Sequence, residues 1–262
     1  MDLAITGIET ITAFDIVSGN YLFTLDELQN VSIGNTEEKQ EVLGKQGRKI
    51  TSLKRNKAVS ISGTNGLVSG GLLELQTGGK FENKATEVLW ADHLSVSGDK
   101  ATTTYKAVGT TGNEIDSIYV KNSDNTLGKK LEQDATASAT GKFAYKPATK
   151  EITFFEGDVA DGTEVIVYYK RKIQADVLEN LSDNYSKKCE MFIDCLAEDI
   201  CSNVFRIQIH VPKADFSGEF TLDMGDSSTV HNFDAEAMAG ACGGSAALWS
   251  YVVFGADTED AE

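Results

Sequence analysis

One stretch of alternating residues constrains the fold of this chain more than any other feature. From Phe205 to Val211, apolar residues alternate with Arg206, Gln208 and His210. A period of two is typical of a β-strand that has one face in the core and the other against water or a partner. Similar short runs rich in Val, Ile, Thr, Tyr and Phe recur between Gly, Asn, Asp and Ser, and the 262 residues include only two prolines. The sequence therefore predicts a mostly β protein.

A segment near residue 70 lacks the alternating pattern of a β-strand. Its apolar residues fall on one stripe at helical spacing: Leu67, Val68, Leu72 and Leu75. Thr64 or Asn65 can cap a helix here and Gly78 can end it. Gly70 and Gly71 inside the segment weaken a helix unless it packs closely against a neighbouring backbone. We predict one α-helix flanking a β-sandwich or β-barrel core.

The composition changes in the middle of the chain. From about residue 97 to about residue 172 it shifts to Thr, Gly, Asn and Lys, with several short strand patterns. A change of this length is typical of a separate compact unit. We predict an inserted small β domain at 97–172 and a core built from 1–96 and 173–262.

Charge is distributed unevenly along the chain. Lys and Arg number 24 against 40 Asp and Glu, which gives a net charge of −16 and disfavours binding to free nucleic acid. No basic residue follows Lys213, whereas residues 39–57 contain seven basic residues and one acid, Glu41. Opposite charge at two places on one chain suits head-to-tail self-association. The alternative is that both segments are solvated faces that keep the protein soluble.

No set of residues in the sequence indicates catalysis. Five residues of the C-terminal region lie within fourteen positions and are candidate oxygen or nitrogen ligands for a cation: Asp223, Asp226, His231, Asp234 and Glu236. Their spacing matches no calcium loop, so turn formation and an acidic surface are the favoured explanation. The four cysteines form no CxxC pair, and we expect reduced, buried thiols. We predict no catalytic residue, no metal and no cofactor.

Two longer stretches carry a family resemblance. The first is GKQGRKITSLKRNKAVSISGTNG with the leucine-rich helix after it; the second is FRIQIHVPKADFSGEFTLDM with HNFDAEAMAG and ALWSYVVF. Together they resemble the major tail tube proteins of tailed bacteriophages. The resemblance implies a non-enzymatic virion subunit that assembles in the host cytoplasm into stacked rings of six. It also implies contacts with other tail proteins, an acidic lumen through which DNA passes without specific binding, and no membrane.

The resemblance also implies roles for two groups of residues. The long loop at 34–57 reaches the neighbouring ring in that family, and its basic residues here are Lys45, Arg48, Lys49, Lys54, Arg55 and Lys57. We expect them to dock on an acidic surface of an adjacent subunit. The candidates for the acidic lumen or contact face are Asp223, Asp226, Asp234 and Glu236. Because neighbours in a strand face opposite sides, the sequence leaves open which of these acids share a face.

Two other functions remain open at the level of the sequence. A capsid decoration or baseplate protein would also be structural, but would form discrete oligomers or bind a capsid. A carbohydrate-binding module would use an aromatic platform, for which the candidates are Trp90, Trp249, Tyr168 and Tyr169. Aromatic residues in alternating strands are more often core residues than ligand platforms.

Overall fold

The computed structural model describes residues 2–224, 230–239 and 246–255. Asp226 and Cys242 lie outside these described residues. The described chain forms sixteen β-strands and one α-helix, which confirms the mostly β prediction. The elements are β1 (Leu3–Asp15), β2 (Tyr21–Leu25), β3 (Leu28–Leu43), β4 (Lys49–Asn65), α1 (Gly70–Thr77), β5 (Glu82–Ser95), β6 (Lys100–Thr102), β7 (Ile115–Lys121), β8 (Leu127–Gln133), β9 (Lys142–Lys146), β10 (Glu151–Phe154), β11 (Glu164–Val177), β12 (Lys188–Asp199), β13 (Val204–Phe216), β14 (Leu222–Asp223), β15 (Val230–Ala237) and β16 (Ser250–Gly255).

The chain divides into two compact units. The larger unit contains residues 1–81 and 178–262, and the smaller unit contains residues 82–177. These boundaries differ from the predicted insertion at 97–172. The reason is that β5 and β11 pair along their whole length, from Glu82 opposite Val177 to Ser95 opposite Glu164, so both strands belong to one unit. The composition of a segment shows which residue types it contains, but not which distant strand the segment pairs with.

The larger unit is built on one antiparallel sheet. The strand order is β2-β1-β12-β13-β15-β4-β3, with β14 also paired to β15 and β16 also paired to β13. The rings of Phe23 in β2 and Phe216 in β13 lie 6.3 Å apart, although two strands separate them in the sheet. In a flat sheet three strand spacings would place them about 14 Å apart. The sheet therefore curls around a single apolar core.

The helix α1 packs against the curled sheet at β2. Its start differs from the predicted one: Asn65 is the last residue of β4, and Ser69 caps the helix by accepting a hydrogen bond from the amide of Leu72 at 3.3 Å. Gly78 ends the helix with a φ of 71°, as predicted. A Cβ on Gly71 would lie 2.6 Å from the Cβ of Phe23, so the close packing expected of this glycine is confirmed.

The smaller unit has its own sheet and core. The strand order is β5-β11-β7-β8-β9-β10-β6, and β8 and β9 are parallel. The aromatic platform considered as an alternative is not assembled within this unit, since Tyr169 is buried in its core and Trp249 belongs to the larger unit. Trp90 instead packs with Arg171, whose guanidinium carbon lies 4.5 Å from the centre of the ring.

Two cysteines are part of the larger core. Cys189 and Cys195 are buried free thiols, as expected, and burial raises the pKa of Cys189 to about 12. Cys201 is exposed at the turn between β12 and β13, where the expectation of burial was wrong. A turn that projects from a strand pair offers no core to cover its residues.

Candidate assembly interface

The predicted long loop is a β-hairpin that projects beyond the rest of the sheet. β3 and β4 remain paired from Leu28 opposite Asn65 to Leu43 opposite Lys49, with a single 3₁₀ turn at Lys45–Gly47 between them. We call residues 35–58, where this hairpin has no other paired neighbour, the arm. The loop prediction was wrong because polar residues on both faces of a strand pair remove the alternation by which strands are recognised.

The arm lacks a core of its own. Nearly all of its residues are exposed, and these include four aliphatic residues: Val42, Leu43, Ile50 and Leu53. An isolated two-stranded hairpin is marginally stable in water. A hairpin of this length with exposed aliphatic residues is therefore stabilised when another surface covers it.

Two of the six candidate basic residues are paired within the arm. Lys54 Nζ lies 2.7 Å from Glu37 Oε1, and Lys49 forms an ion pair with Glu41. The hydrogen bond from Lys54 holds the pKa of Glu37 below its usual value. Glu37 lies just outside the stretch counted in the sequence analysis, so the arm is less basic than that count implied. These pairs favour the observed register of the hairpin.

The other four of the six candidates are free within the described chain, as is Lys39, the seventh basic residue of the arm. None of the four has an acidic partner within 4 Å among the described residues: Lys45, Arg48, Arg55 and Lys57. Fixed positive charges on a projecting, uncovered hairpin provide electrostatic complementarity to a negatively charged partner surface.

Three of the four acidic candidates share one face of the sheet. In β15, Asp234 and Glu236 point to solvent while their neighbours point into the core. Asp223 lies opposite Val230 across the β14–β15 pair, and residues directly opposite each other point to the same side. Asp223 therefore shares the face of Asp234 and Glu236. The fourth candidate, Asp226, lies outside the described residues.

Further polar residues extend this acidic face. Asp215 in β13 lies directly opposite Glu236, and an open groove on this side is lined by Ser60, Asp215, Glu219, Asp234 and Glu236. Lys188 is 3.4 Å from Asp215 and partly compensates its charge. We call Asp215, Asp223, Asp234 and Glu236 the acidic face.

His231 does not belong to the acidic face. It is fully buried on the opposite side of β15, where its Nε2 lies 2.7 Å from Oε1 of Gln76 in α1. Its Nδ1 accepts a hydrogen bond from the Ser69 amide at 3.4 Å, and burial lowers its pKa. The four of these candidate cation ligands that the structure describes, Asp223, His231, Asp234 and Glu236, are thus divided between two faces. Within the described part of the chain no group of three or more His, Cys, Asp or Glu is placed to hold a metal ion.

Four strands of the larger sheet, β2, β3, β14 and β16, each pair with a single described strand and so have an unpaired edge. Among the described residues β16 pairs only with β13, and the side chains of Tyr251, Val252 and Phe254 are exposed. Unpaired strand edges with apolar residues template pairing with another chain. Together with the arm, the edge of β16 makes the larger unit a subunit with uncovered surfaces suited to assembly.

Comparison with known protein families also indicates an assembling protein, and the match covers almost the whole chain. A sequence family described as the YomU/Tube protein family matches residues 3–252. The chain belongs to the YomU/Tube protein family. This confirms the predicted resemblance to phage tail tube proteins. Among proteins with curated descriptions, none matches the chain.

Membership of the YomU/Tube family has direct consequences for function. The family is one of phage tube proteins, so the chain is a structural protein of the tube type. A tube implies self-assembly and contact with other tail proteins, and it implies a place in the virion tail. In the described residues no helix has the length and apolar character needed to cross a membrane.

Proposed function

We propose that this protein is the subunit of a phage tail tube, in which copies form six-membered rings that stack around a lumen for DNA. The observation that carries the proposal is the arm, an exposed hairpin without a core in a member of a tube family. Such a hairpin is stabilised when it lies against a neighbouring copy. Rings and tubes assemble in the host cytoplasm before the tail joins the virion.

The four free candidate residues of the arm dock on the acidic face of an adjacent copy. Each exposed ion pair contributes about 0 to 1 kcal/mol, so these charges set register and orientation more than strength. The aliphatic residues of the arm supply apolar contact area at the same interface. The unpaired edge of β16 supports closure of the ring, since pairing with a neighbouring copy satisfies its free amide and carbonyl groups.

Acidic residues that stay uncovered after docking line the lumen. Carboxylates facing a passing DNA strand repel its phosphates, so the DNA slides instead of binding. Asp234 and Glu236 support this role because they point away from the core on one face. Asp226 is the remaining candidate for this surface.

The test is assembly of the purified full-length chain, observed by negative-stain electron microscopy over a range of protein and salt concentrations. We expect hollow tubes of uniform bore. Replacing Lys45, Arg48, Arg55 and Lys57 with Glu should abolish the tubes while circular dichroism stays unchanged. The matched control replaces Lys106, Lys130, Lys146 and Lys150 of the smaller unit with Glu, which changes the net charge equally.

Two results would contradict the proposal. Discrete rings or trimers of the wild type under all conditions, together with binding to capsids, would favour a decoration protein. Normal tubes from the arm variant would overturn the docking role of the basic residues. If the control variant loses its tubes as well, the net charge, and not the position of the charges, determines assembly.

A further inference from the structure

Two turns of the larger unit each expose a large aliphatic residue almost completely. Val17 in the β1–β2 turn is 95% exposed, and Ile200 in the β12–β13 turn is 93% exposed. Turns are usually occupied by Gly, Pro, Asn, Asp or Ser, because these residues favour the turn conformation or bond to its backbone. A β-branched aliphatic residue offers neither advantage at these positions. A partner surface that covers it does explain its presence.

The two turns lie at opposite ends of the same pair of strands. Asp15, the last residue of β1, lies opposite Cys189 near the start of β12. Leu3 at the start of β1 lies opposite Asp199 at the end of β12. The β1–β2 turn therefore follows one end of the pair and the β12–β13 turn follows the other end.

An aspartate holds each turn in place. Oδ1 of Asp15 accepts hydrogen bonds from the amide of Ser18 at 2.7 Å and from its hydroxyl at 2.8 Å. Oδ1 of Asp199 accepts hydrogen bonds from the amides of Cys201 at 2.7 Å and Asn203 at 2.9 Å. Both turns are thus preorganised, which lowers the entropic cost of binding through them.

Two further exposed apolar residues lie near each turn, and on the Ile200 side they are on opposite faces of the sheet, because Ile5 pairs with Ala197 and Val204 pairs with Glu198. The Val17 patch consists of Ile16, Val17 and Tyr21, and the Ile200 patch consists of Ile5, Ile200 and Val204. All six side chains are exposed. The two patches lie at opposite ends of the sheet and cannot cover each other within one molecule.

The arm extends toward the same end of the sheet as the Ile200 patch. Cys189, Ala214, Ala237 and Val59 are successive partners across four neighbouring strands and define one row. β12 leaves this row with increasing residue number and ends at Asp199. β4 has the opposite chain direction, so on the same side of the row its residue numbers decrease from Val59 into the arm. The Ile200 patch therefore lies on the side from which the arm reaches a neighbour.

The distribution of charge between the two ends of the sheet favours contact between the arm end of one copy and the opposite end of the next. Asp26 and Glu27 precede β3, whose first residue pairs with the end of β4 farthest from the arm. Asp223 in β14 lies opposite Val230, at the same end of β15. The end opposite the arm is thus acidic, whereas the arm itself carries the free basic residues. Copies with their arms pointing in the same direction place these opposite charges together.

We propose that the Ile200 patch of one copy packs against the Val17 patch of the next copy, head to tail along the tube. This inference rests on the proposed tube assembly and names the apolar contact between stacked subunits. A contact between two different patches leaves one of each free at the ends, so it propagates without limit, as a tube requires. The partner is a second copy of this chain.

Native Cys201, next to Ile200, allows a direct test with the full-length chain. Val17→Cys places a thiol on the other patch, and the assembled variant is treated with a short bismaleimide before denaturing electrophoresis. We expect a ladder extending well beyond dimers, since every copy is then linked to two neighbours. The double variant Val17→Cys with Cys201→Ser should give no ladder, and Leu89→Cys, an exposed position outside both patches, should give none either.

The possible outcomes separate this inference from the proposed function. Tubes that form normally but give no ladder would overturn the patch contact alone. Dimers without longer products would show contact between like patches and would also overturn it. A ladder that persists without Cys201 would place a different cysteine at the contact. If the wild type forms no polymer, both the tube assembly and this contact are wrong.

A second measurement uses charge in place of a cross-link. Val17→Asp and Ile200→Asp should each raise the critical concentration for tube formation at least tenfold, because each places a carboxylate in an apolar contact. Leu127→Asp in the smaller unit is the control and should leave that concentration unchanged. Equal critical concentrations for all three variants would contradict the proposed contact.

Discussion

Lys54 Nζ and Glu37 Oε1 lie 2.7 Å apart across the arm, although 17 positions separate them in the sequence. This pair changes the meaning of the basic segment. Two of its six candidate docking residues, Lys49 and Lys54, stabilise the hairpin internally, and four are left to meet a partner. The arm is therefore both a preformed hairpin and a charged surface, and the two properties depend on different residues.

The first prediction separates those two properties. Glu37→Lys places two positive charges next to each other and should increase hydrogen exchange of the arm amides. Combining it with Lys54→Glu restores an ion pair of reversed direction and should restore slow exchange. Exchange is measured by mass spectrometry on the unassembled protein. Equal exchange in the single and double variants would show that this pair does not stabilise the arm.

The second prediction concerns the buried histidine. His231→Gln should lower the free energy of unfolding at pH 7.5 by about 1 to 3 kcal/mol, because a buried hydrogen-bonded group is replaced. Burial lowers the pKa of His231, so the unfolded chain takes up a proton more readily than the folded chain. The contribution of neutral His231 is therefore complete above its unfolded pKa of about 6.5 and decreases as the pH falls below it.

The measurement for this histidine is the melting temperature of both proteins from pH 7.5 to pH 5. The difference between wild type and His231→Gln should become smaller as the pH falls. A difference that stays constant would mean that the pKa of His231 is the same in the folded and unfolded states.

The third prediction tests how closely α1 packs on the sheet. Gly71→Ala should destabilise the larger unit by about 1 to 3 kcal/mol, because its methyl group would lie 2.6 Å from the Cβ of Phe23 and 2.8 Å from the carbonyl oxygen of Leu22. Gly7→Ala is the control, since a methyl group there meets open space. Urea denaturation measures the free energy of unfolding of both variants. A stabilised Gly71→Ala would show that the helix can move away from β2 at little cost.

The fourth prediction concerns a buried carboxylate in the smaller unit. Asp92 accepts hydrogen bonds from the Tyr169 hydroxyl and the Thr104 amide at 2.7 Å each, and from the indole of Trp90 at 2.9 Å. Burial raises the pKa of Asp92, but these hydrogen bonds outweigh burial and lower it overall. Asp92→Asn replaces an acceptor with a donor and should destabilise the smaller unit by about 1.5 to 3 kcal/mol.

Hydrogen exchange resolved by unit checks this fourth prediction. Protection should decrease in residues 82–177 and stay unchanged in the larger unit. A decrease of equal size in both units would show that they unfold together. Glu74→Gln in α1 serves as the reference substitution, because glutamine keeps an oxygen that can accept the 2.7 Å hydrogen bond from the Phe81 amide.

The fifth prediction tests the independence of the smaller unit. Glu82 lies opposite Val177, so the chain enters and leaves this unit at one point. Deleting 82–177 and joining Phe81 to Leu178 through a short Gly-Ser linker should leave the larger unit folded and able to form tubes. Circular dichroism checks that the deletion variant is folded, and electron microscopy checks that it forms tubes. A folded deletion variant without tubes would assign an assembly role to the smaller unit.

The alternation of residues was enough to predict the class of fold and the strands with one buried face. Phe205–Val211 was recognised as a strand because its own side chains separate core from solvent. The arm was interpreted as a loop because its strands have no buried face, and Ser69 was missed as the helix cap because Asn65 is an equally good capping residue. Val17 and Ile200 carried no signal, since exposed apolar residues in turns follow no periodic pattern.

The sequence by itself determined the mostly β composition, the uneven charge and the family, because these depend on residue types and local order. Only the tertiary structure decided that Asp223, Asp234 and Glu236 share a face, that Glu37 neutralises Lys54, and that the Val17 and Ile200 turns lie at opposite ends of one strand pair. Each of these relations depends on strand register between distant segments. A shift of one residue would reverse the faces without changing composition, so register has to be read from the folded chain.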